Sequence, residues 1–317
     1  MLTPAVAFVA ALVASAILTP LIRGAATERG LLDEPDERKV HEVAIPRLGG
    51  VGIVAALFVG VAGALLVATR VEPSLTILSG DLPPILAGTA LIAGVGIIDD
   101  LRGMRARVKL LAQVGIALVA VVLGLSLDRL DGPWGSISLG AWSVPLTVAW
   151  IVAVINAVNL IDGLDGLASG VSLTAMAALF VIASSGGAEP PYLIVLAGCA
   201  GAVIGFLPFN LHPASIIMGD TGAMLLGFVI SSVGVSVTQT LPSGVPPWVP
   251  VIAVGLPLTD TAWAILRRLA VGDPIFVPDK RHIHHQLLAA GLSQRVVMLV
   301  LWGVSAALGV LAVALTR

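Results

Sequence analysis

Apolar runs of about twenty residues recur along the whole chain, and nothing else constrains the fold as strongly. A helix of about 20 residues crosses a hydrocarbon core of about 30 Å. Such runs lie at 4–22, 47–69, 83–99, 108–127, 143–161, 165–185, 191–210, 222–239, 247–266 and 295–315. Lipid cannot satisfy free backbone N–H and C=O groups, so each run is expected to be helical. The chain is 57% hydrophobic and only 11% charged, whereas ordinary soluble domains carry roughly 25% charged residues. One soluble core cannot hide that much apolar surface. The expectation is an all-α, polytopic integral membrane protein with about ten transmembrane helices. It forms one catalytic domain over residues 1–317. The longest connections, Arg23–Pro46 and Arg267–Gln294, leave no room for a soluble domain. The first run lacks a basic leader and is long for a signal peptide, so it is read as a retained span. Cys199, the single cysteine, lies inside an apolar run and is read as a packing residue.

An even number of spans puts both termini on one side. Fourteen of the seventeen Lys and Arg residues then fall on the opposite side, leaving Arg70, Arg129 and Arg317. Short basic loops stay in the cytoplasm. The basic side is therefore expected to be cytoplasmic and the termini extracytoplasmic. All five histidines (His41, His212, His282, His284 and His285) fall on the basic side too. The charge count did not choose where they go, so a polar site is expected at that surface.

Four polar motifs reach that side. Asp99-Asp100 ends the third run, where two adjacent carboxylates repel each other unless a cation is present. Arg102 and Arg105 are ordinary loop partners; a Mg²⁺ or phosphate site is the functional alternative, because Mg²⁺ takes one or two carboxylates plus phosphate oxygens and water. "NAVNLIDGLDGLASG" follows the fifth run. Asp162 and Asp165 are three apart and would share a helix face, while a solvated turn would not need the deeper Asn156 and Asn159. "FNLHPASIIMGDTGAM" carries Asn210, His212 and Asp220. Asp220 suits a helix N-cap, and a helix N-terminus also attracts phosphate. "DKRHIHHQLL" holds Arg281, His282, His284 and His285. As a helix it would put His282 and His285 on one face and His284 elsewhere. A basic segment lying on anionic lipid is the plain reading; a zinc site lacks both a nearby cysteine and an HExxH pattern.

Lys39, His41 and Arg47 precede the second run and could meet phosphate or headgroups. The "GVG" before Asp99 lacks the βαβ context of a dinucleotide fingerprint. Asp260 lies inside the ninth run, where a carboxylate costs roughly 2.5–3.5 kcal/mol and should be paired or functional. Pro257 is expected to kink that helix.

These motifs, in this order, resemble the polyprenyl-phosphate N-acetylhexosamine-1-phosphate transferases, over roughly Asp36 to Leu292. "HIHH" and "PLTDTAWAILRR" are similar to the bacterial branch that transfers GlcNAc-1-phosphate to undecaprenyl or decaprenyl phosphate; the sister phospho-MurNAc-pentapeptide translocases carry a triple-histidine run there. The resemblance implies a Mg²⁺-dependent reaction, with Mn²⁺ as a substitute. The lipid phosphate attacks the β-phosphorus of UDP-GlcNAc and UMP leaves, starting a lipid-linked envelope glycan. It implies Asp220 as a metal ligand, aided by Asp100. Asp99, Asp100, Asp162, Asp165 and His282 form the catalytic set. Lys39, His41, Asn156, Asn159, Asn210, Arg281, His284 and His285 contact substrates. The partners are then a UDP-sugar, a polyprenyl phosphate and membrane lipids. No nucleic acid is involved, and a homodimer is compatible. The location is the bacterial cytoplasmic membrane with the site facing the cytoplasm. The alternatives are another UDP-sugar donor, such as UDP-MurNAc-pentapeptide, or a proton-coupled or anion transporter. Transporters, however, place ionisable groups near the midplane.

Overall fold

The computed structural model describes residues 2–34, 43–71, 80–185, 191–241, 244–272 and 281–316. Lys39 and His41 lie outside the described residues. The helices are α1 (Leu2–Glu28), α2 (Gly49–Val71), α3 (Leu82–Arg102), α4 (Ala106–Val122), α5 (Ser143–Ile161) and α6 (Leu167–Ser184). They continue with α7 (Tyr192–Asn210), α8 (Gly219–Thr240), α9 (Trp248–Ala253), α10 (Gly255–Val271), α11 (Ile283–Ala289) and α12 (Gln294–Ala314). Among the described residues, eight helices are long and apolar enough to cross a membrane. They are α1, α2, α3, α5 with the single turn before it, α6, α7, α8 and α12. The chain is an all-α, multi-pass membrane protein.

The two remaining runs depart from uniform spans for local reasons. Helix α4 has 17 residues and ends just before Gly124, whose φ is +109°. The ninth run is divided into α9 and α10 at Val254, which has φ −104° and ψ 21°. Proline lacks an N–H and its ring crowds the carbonyl four residues back. For Pro257 that carbonyl belongs to Ala253, where α9 stops. The expected kink is a break.

Helix α8 is the central post. Its whole membrane-length window is buried, and it packs against α2, α3, α5, α6 and α7. Helix α1 lies outside, against α2 and α7, and α12 covers α6. The first turn of α8 is approached unusually closely. A Cβ on Gly96 of α3 would sit 2.4 Å from Thr221 Cα, and one on Gly50 of α2 would sit 2.2 Å from Gly222 N. These contacts bring three backbones together at one end of the bundle.

Two short antiparallel ladders, which the apolar pattern does not signal, tie off the helix ends. Strands β1 (Leu32–Asp33) and β2 (Ile45–Pro46) pair beside the start of α2. Ile217 N–H donates to Pro46 O at 3.0 Å, and Gly49 and Gly50 N–H donate to Ile217 O and Met218 O at 3.0 and 2.8 Å. The segment leading into α8 is thus stitched to α2. Strands β3 (Arg129–Gly132) and β4 (Gly135–Ser138) form a hairpin at the other end of α8. There Gln239 Oε1 accepts from Asp128 N–H at 3.0 Å and Nε2 donates to Arg129 O at 2.9 Å.

Candidate active site

The C-terminal ends of α3, α5 and α7 converge on the N-terminal end of α8 around a cavity of about 320 Å³. Its walls hold six carboxylates: Asp33, Asp99, Asp100, Asp162, Asp165 and Asp220. Arg47, Asn159, Asn210 and His285 complete the polar lining. The four motifs, far apart in sequence, therefore meet.

Asp100 is a cap supplied by another helix. Its Oδ1 accepts Asp220 N–H at 2.8 Å, and its Oδ2 accepts Thr221 N–H at 3.0 Å and Thr221 Oγ at 2.5 Å. The first N–H groups of a helix have no partner within it, and a carboxylate there also faces the positive end of the helix dipole. Asp220 was expected to cap α8; instead it sits in the first turn and makes no cap bond. Gly219 has φ +70°, and a Cβ there would come within 2.8 Å of both Asp100 oxygens. Both observations require glycine. With three of its acceptor positions filled by the first turn of α8, Asp100 organises that end of the site while still lining the cavity.

Asp220 and Asp99 share a cation. Lys109 Nζ, on α4, donates to Asp220 Oδ1 at 2.8 Å and pairs with Asp99 Oδ2. Met104 N–H donates to Asp99 Oδ1 at 2.7 Å. The adjacent carboxylates thus have separate partners, Asp99 in Lys109 of α4 and Asp100 in the first turn of α8, and Arg102 and Arg105 are exposed. Asn159 Nδ2 donates to Asp220 Oδ1 at 2.5 Å, so the amide orients the carboxylate. Asn156, expected to contact substrate, does not line the cavity. It donates to Gln113 Oε1 at 2.6 Å and Val152 O at 2.8 Å, fastening α5 to α4 one turn deeper.

The segment between α5 and α6 forms the next wall. Asp162 ends α5 with φ −76° and ψ 56°, outside the helix, so the expected shared helical face of Asp162 and Asp165 does not form. Burial pushes the Asp162 carboxyl up to about 8, and the negative charges of Asp220, Asp100 and Asp165 push in the same direction. Asp165 Oδ2 accepts from His212 Nδ1 at 2.9 Å and Ala214 N–H at 3.0 Å, joining this segment to the one before α8. Asn210 lines the cavity but is nearly buried. Its Oδ1 accepts from Ser169 Oγ at 3.0 Å and its Nδ2 donates to Ile216 O at 3.2 Å. It supports the wall.

The three histidines occupy three environments. His285 lines the cavity. His284 is 1% exposed, and its ring lies against Gly163, where a Cβ would meet His284 Nε2 at 2.3 Å. Burial, then the charges of His285 and His282, holds His284 down to about 3, so it stays neutral. His282 does not line the cavity, contrary to its expected catalytic contact. It precedes α11, buried, with Nδ1 2.8 Å from Asp260 Oδ2. Nor does Arg281 line the cavity; its carbonyl accepts from Arg267 and Gln286. The expected pairing of His282 with His285 on one face is therefore replaced by a buried, a packed and a cavity-lining ring.

The decisive comparison is with a probable undecaprenyl-phosphate N-acetylglucosaminyl 1-phosphate transferase of Bacillus subtilis. It is 41% identical over 303 residues, covering 94% of this chain and 80% of that protein. Glycosyl transferase family 4 matches residues 82–238, α3 through most of α8. The chain belongs to this family of polyprenyl-phosphate N-acetylhexosamine-1-phosphate transferases. A decaprenyl-phosphate N-acetylglucosaminephosphotransferase of Mycobacterium tuberculosis is 36% identical over 89% of this chain and 74% of its own length. An undecaprenyl-phosphate alpha-N-acetylglucosaminyl 1-phosphate transferase of Escherichia coli is 28% identical over 86% and 73%. The matched family region contains five of the six cavity carboxylates, Lys109 and Asn159; Asp33, Arg47 and His285 lie outside it.

Two groups in this transferase escaped the sequence reading. Lys109 entered it only as one of the fourteen basic residues on the expected cytoplasmic side; its position in an otherwise apolar turn of the fourth run was the available signal. Asp33 lines the cavity from β1, a position that no periodicity marks. The donor set suits a divalent cation bound jointly with phosphates. Among the described residues no three His, Cys, Asp or Glu side chains form a cage on their own, but Mg²⁺ takes only one or two carboxylates when phosphates and water complete its shell. Asp220 fits best. Its Oδ2 carries none of the hydrogen bonds found among the described residues, and the surrounding negative charge that raises Asp162 is what a cation would relieve.

Proposed function

We propose that this chain transfers GlcNAc-1-phosphate from UDP-GlcNAc to a polyprenyl phosphate and releases UMP, at the cytoplasmic face of a bacterial cytoplasmic membrane. The observation that carries the reading is the convergence of Asp99, Asp100, Asp162 and Asp220, with Lys109, at one end of a membrane bundle. Family membership narrows the chemistry to sugar-phosphate transfer, and the relatives' names favour GlcNAc. We also infer ten crossings, with α4 and the broken α9–α10 completing the eight long helices, and both termini extracytoplasmic. The chain acts as one domain, and no described connection holds a second core.

Asp220 is the proposed anchor for Mg²⁺, held in orientation by Asn159. When bound, the metal offsets diphosphate charge and polarises the phosphorus under attack. The chain's own groups do the rest. Asp100 fixes the first turn of α8, and with it Asp220. Lys109 keeps Asp99 and Asp220 together in the resting site and offers a positive charge to incoming phosphate. Asp162, Asp165 and Asn159 form the donor wall, with His285 across from them. Both Asp99 oxygens and both Asp100 oxygens already accept hydrogen bonds or an ion pair. A lipid phosphate is already largely ionised near neutral pH, so it attacks directly and needs no base from this pair.

The test is UMP release by purified protein given Mg²⁺, undecaprenyl phosphate and either UDP-GlcNAc or UDP-MurNAc-pentapeptide. Product with UDP-GlcNAc, lost on adding EDTA, is expected. Turnover with the peptide donor alone would overturn the donor assignment, and no UMP from either would overturn the reaction.

A further inference from the structure

Asp260 has no place in the cavity, yet it is a buried carboxylate on a membrane helix, 8% exposed. Its two oxygens are spent on one short segment. Oδ2 lies 2.8 Å from His282 Nδ1, and Oδ1 accepts Ile283 N–H at 2.9 Å. A carboxylate only accepts, so His282 carries its proton on Nδ1. Two helical turns further along α10, Arg267 Nη1 donates to Arg281 O at 3.2 Å. Residues seven apart lie on one face of a helix, so one stripe of α10 grips Arg281, His282 and Ile283, the two residues before α11 and its first.

Helix α11 needs such a grip. It has seven residues, too few to be stable through its own hydrogen bonds. Its apolar side, Ile283 and Leu287, packs on the cluster containing Ile161, Leu164 and Leu167, at the corner between α5 and α6. That seats His284 over Gly163 and turns His285 into the cavity.

We propose that Asp260 is a positioning residue: by holding His282 and the first N–H of α11, it sets where His285 meets the donor. The kinetic part rests on the proposed function; the structural part does not. Asp260→Asn keeps the size of the side chain but loses the charge and one acceptor. It is expected to raise KM for UDP-GlcNAc about tenfold while kcat and KM for the lipid phosphate change less than about threefold. In a His285→Ala background the same substitution should add less than about twofold, because residues acting through one contact are not additive. Amide exchange over residues 283–289 should quicken about tenfold, with α5 and α6 unchanged. His282→Gln, which leaves Asp260 in place, is expected to quicken the same segment and serves if Asp260→Asn does not fold.

Unchanged exchange over 283–289 in both variants would overturn the proposal. So would a full, multiplicative loss in the His285→Ala background. If the wild-type protein makes no UMP from any UDP-sugar, the functional reading has failed, and the exchange result alone then decides the role of Asp260.

Discussion

Two walls of one cavity hold their polar groups by different means. On the α3–α4–α8 side, carboxylates sit on long buried helices and are fixed by backbone N–H groups and one lysine. On the α10–α11 side, histidines sit on a seven-residue helix that borrows its order from a carboxylate 22 residues upstream. The first wall is rigid by construction, and charge must be balanced inside it. The second is held by a few contacts and can shift without disturbing the bundle. The difference implies that changes in the first wall strike the chemical step, and changes in the second strike donor binding.

The largest effect is expected from Asp220→Ala. UMP formation should fall on the order of 10³-fold, as for loss of a group aimed at transition-state charge, with the melting temperature little changed. Activity within about tenfold of wild type would remove Asp220 from the metal site. Lys109→Met comes next, with a loss on the order of 10² in kcat. It also leaves Asp99 and Asp220 facing each other. Breaking a buried pair costs about 3–5 kcal/mol; Lys109 is partly exposed, so the lower end or less is expected. A variant that melts early yet retains full kcat would make the lysine purely structural.

The legibility of the two walls follows the same division. The long helices were written in the apolar runs, and α7 and α12 fall within a residue of the expected limits. Asp99, Asp100, Asp162, Asp165 and Asp220 were visible because carboxylates are conspicuous at the ends of such runs. Their couplings were not. Asp100 caps a helix 120 residues away, and Lys109 joins two segments from a third. Pairing between distant segments leaves no period in either one. Asp260 was marked as needing a partner, but His282 lies beyond a connection with no pattern of its own. The depth of Asn156 marked it as needing a partner without naming one: a polar residue inside a membrane helix can serve another helix, as here Gln113 of α4, as readily as a ligand.

A third experiment separates burial from function. Asp162 holds its proton up to about pH 8 in the fold, while the unfolded chain releases it near pH 4. The folded state therefore binds more protons across that interval, and stability falls as pH rises from about 4 to about 8, then levels. Melting in EDTA, followed from about pH 5 to about pH 8.5, should show this decline, and Asp162→Asn should flatten it. An equally steep decline in the variant would assign the titration to another group.

The smallest effect is expected deepest in the first wall. Asn156 bonds to Gln113 and to its own helix, and Gln113 Nε2 reaches Met224 Sδ at 3.4 Å on α8. This chain of contacts joins α5, α4 and α8 below the cavity floor. Asn156→Ala removes one member and leaves Gln113 short of a partner, a loss of about 1–3 kcal/mol for a buried polar group. Because no atom of Asn156 lines the cavity, KM for UDP-GlcNAc should stay within about twofold of wild type. A rise of about tenfold would return Asn156 to the donor site and show that the floor yields when substrate binds. A drop in melting temperature with unchanged KM would instead place its whole contribution in helix packing. The first wall would then contain two layers, an upper one that meets phosphate and a lower one that holds the helices in register.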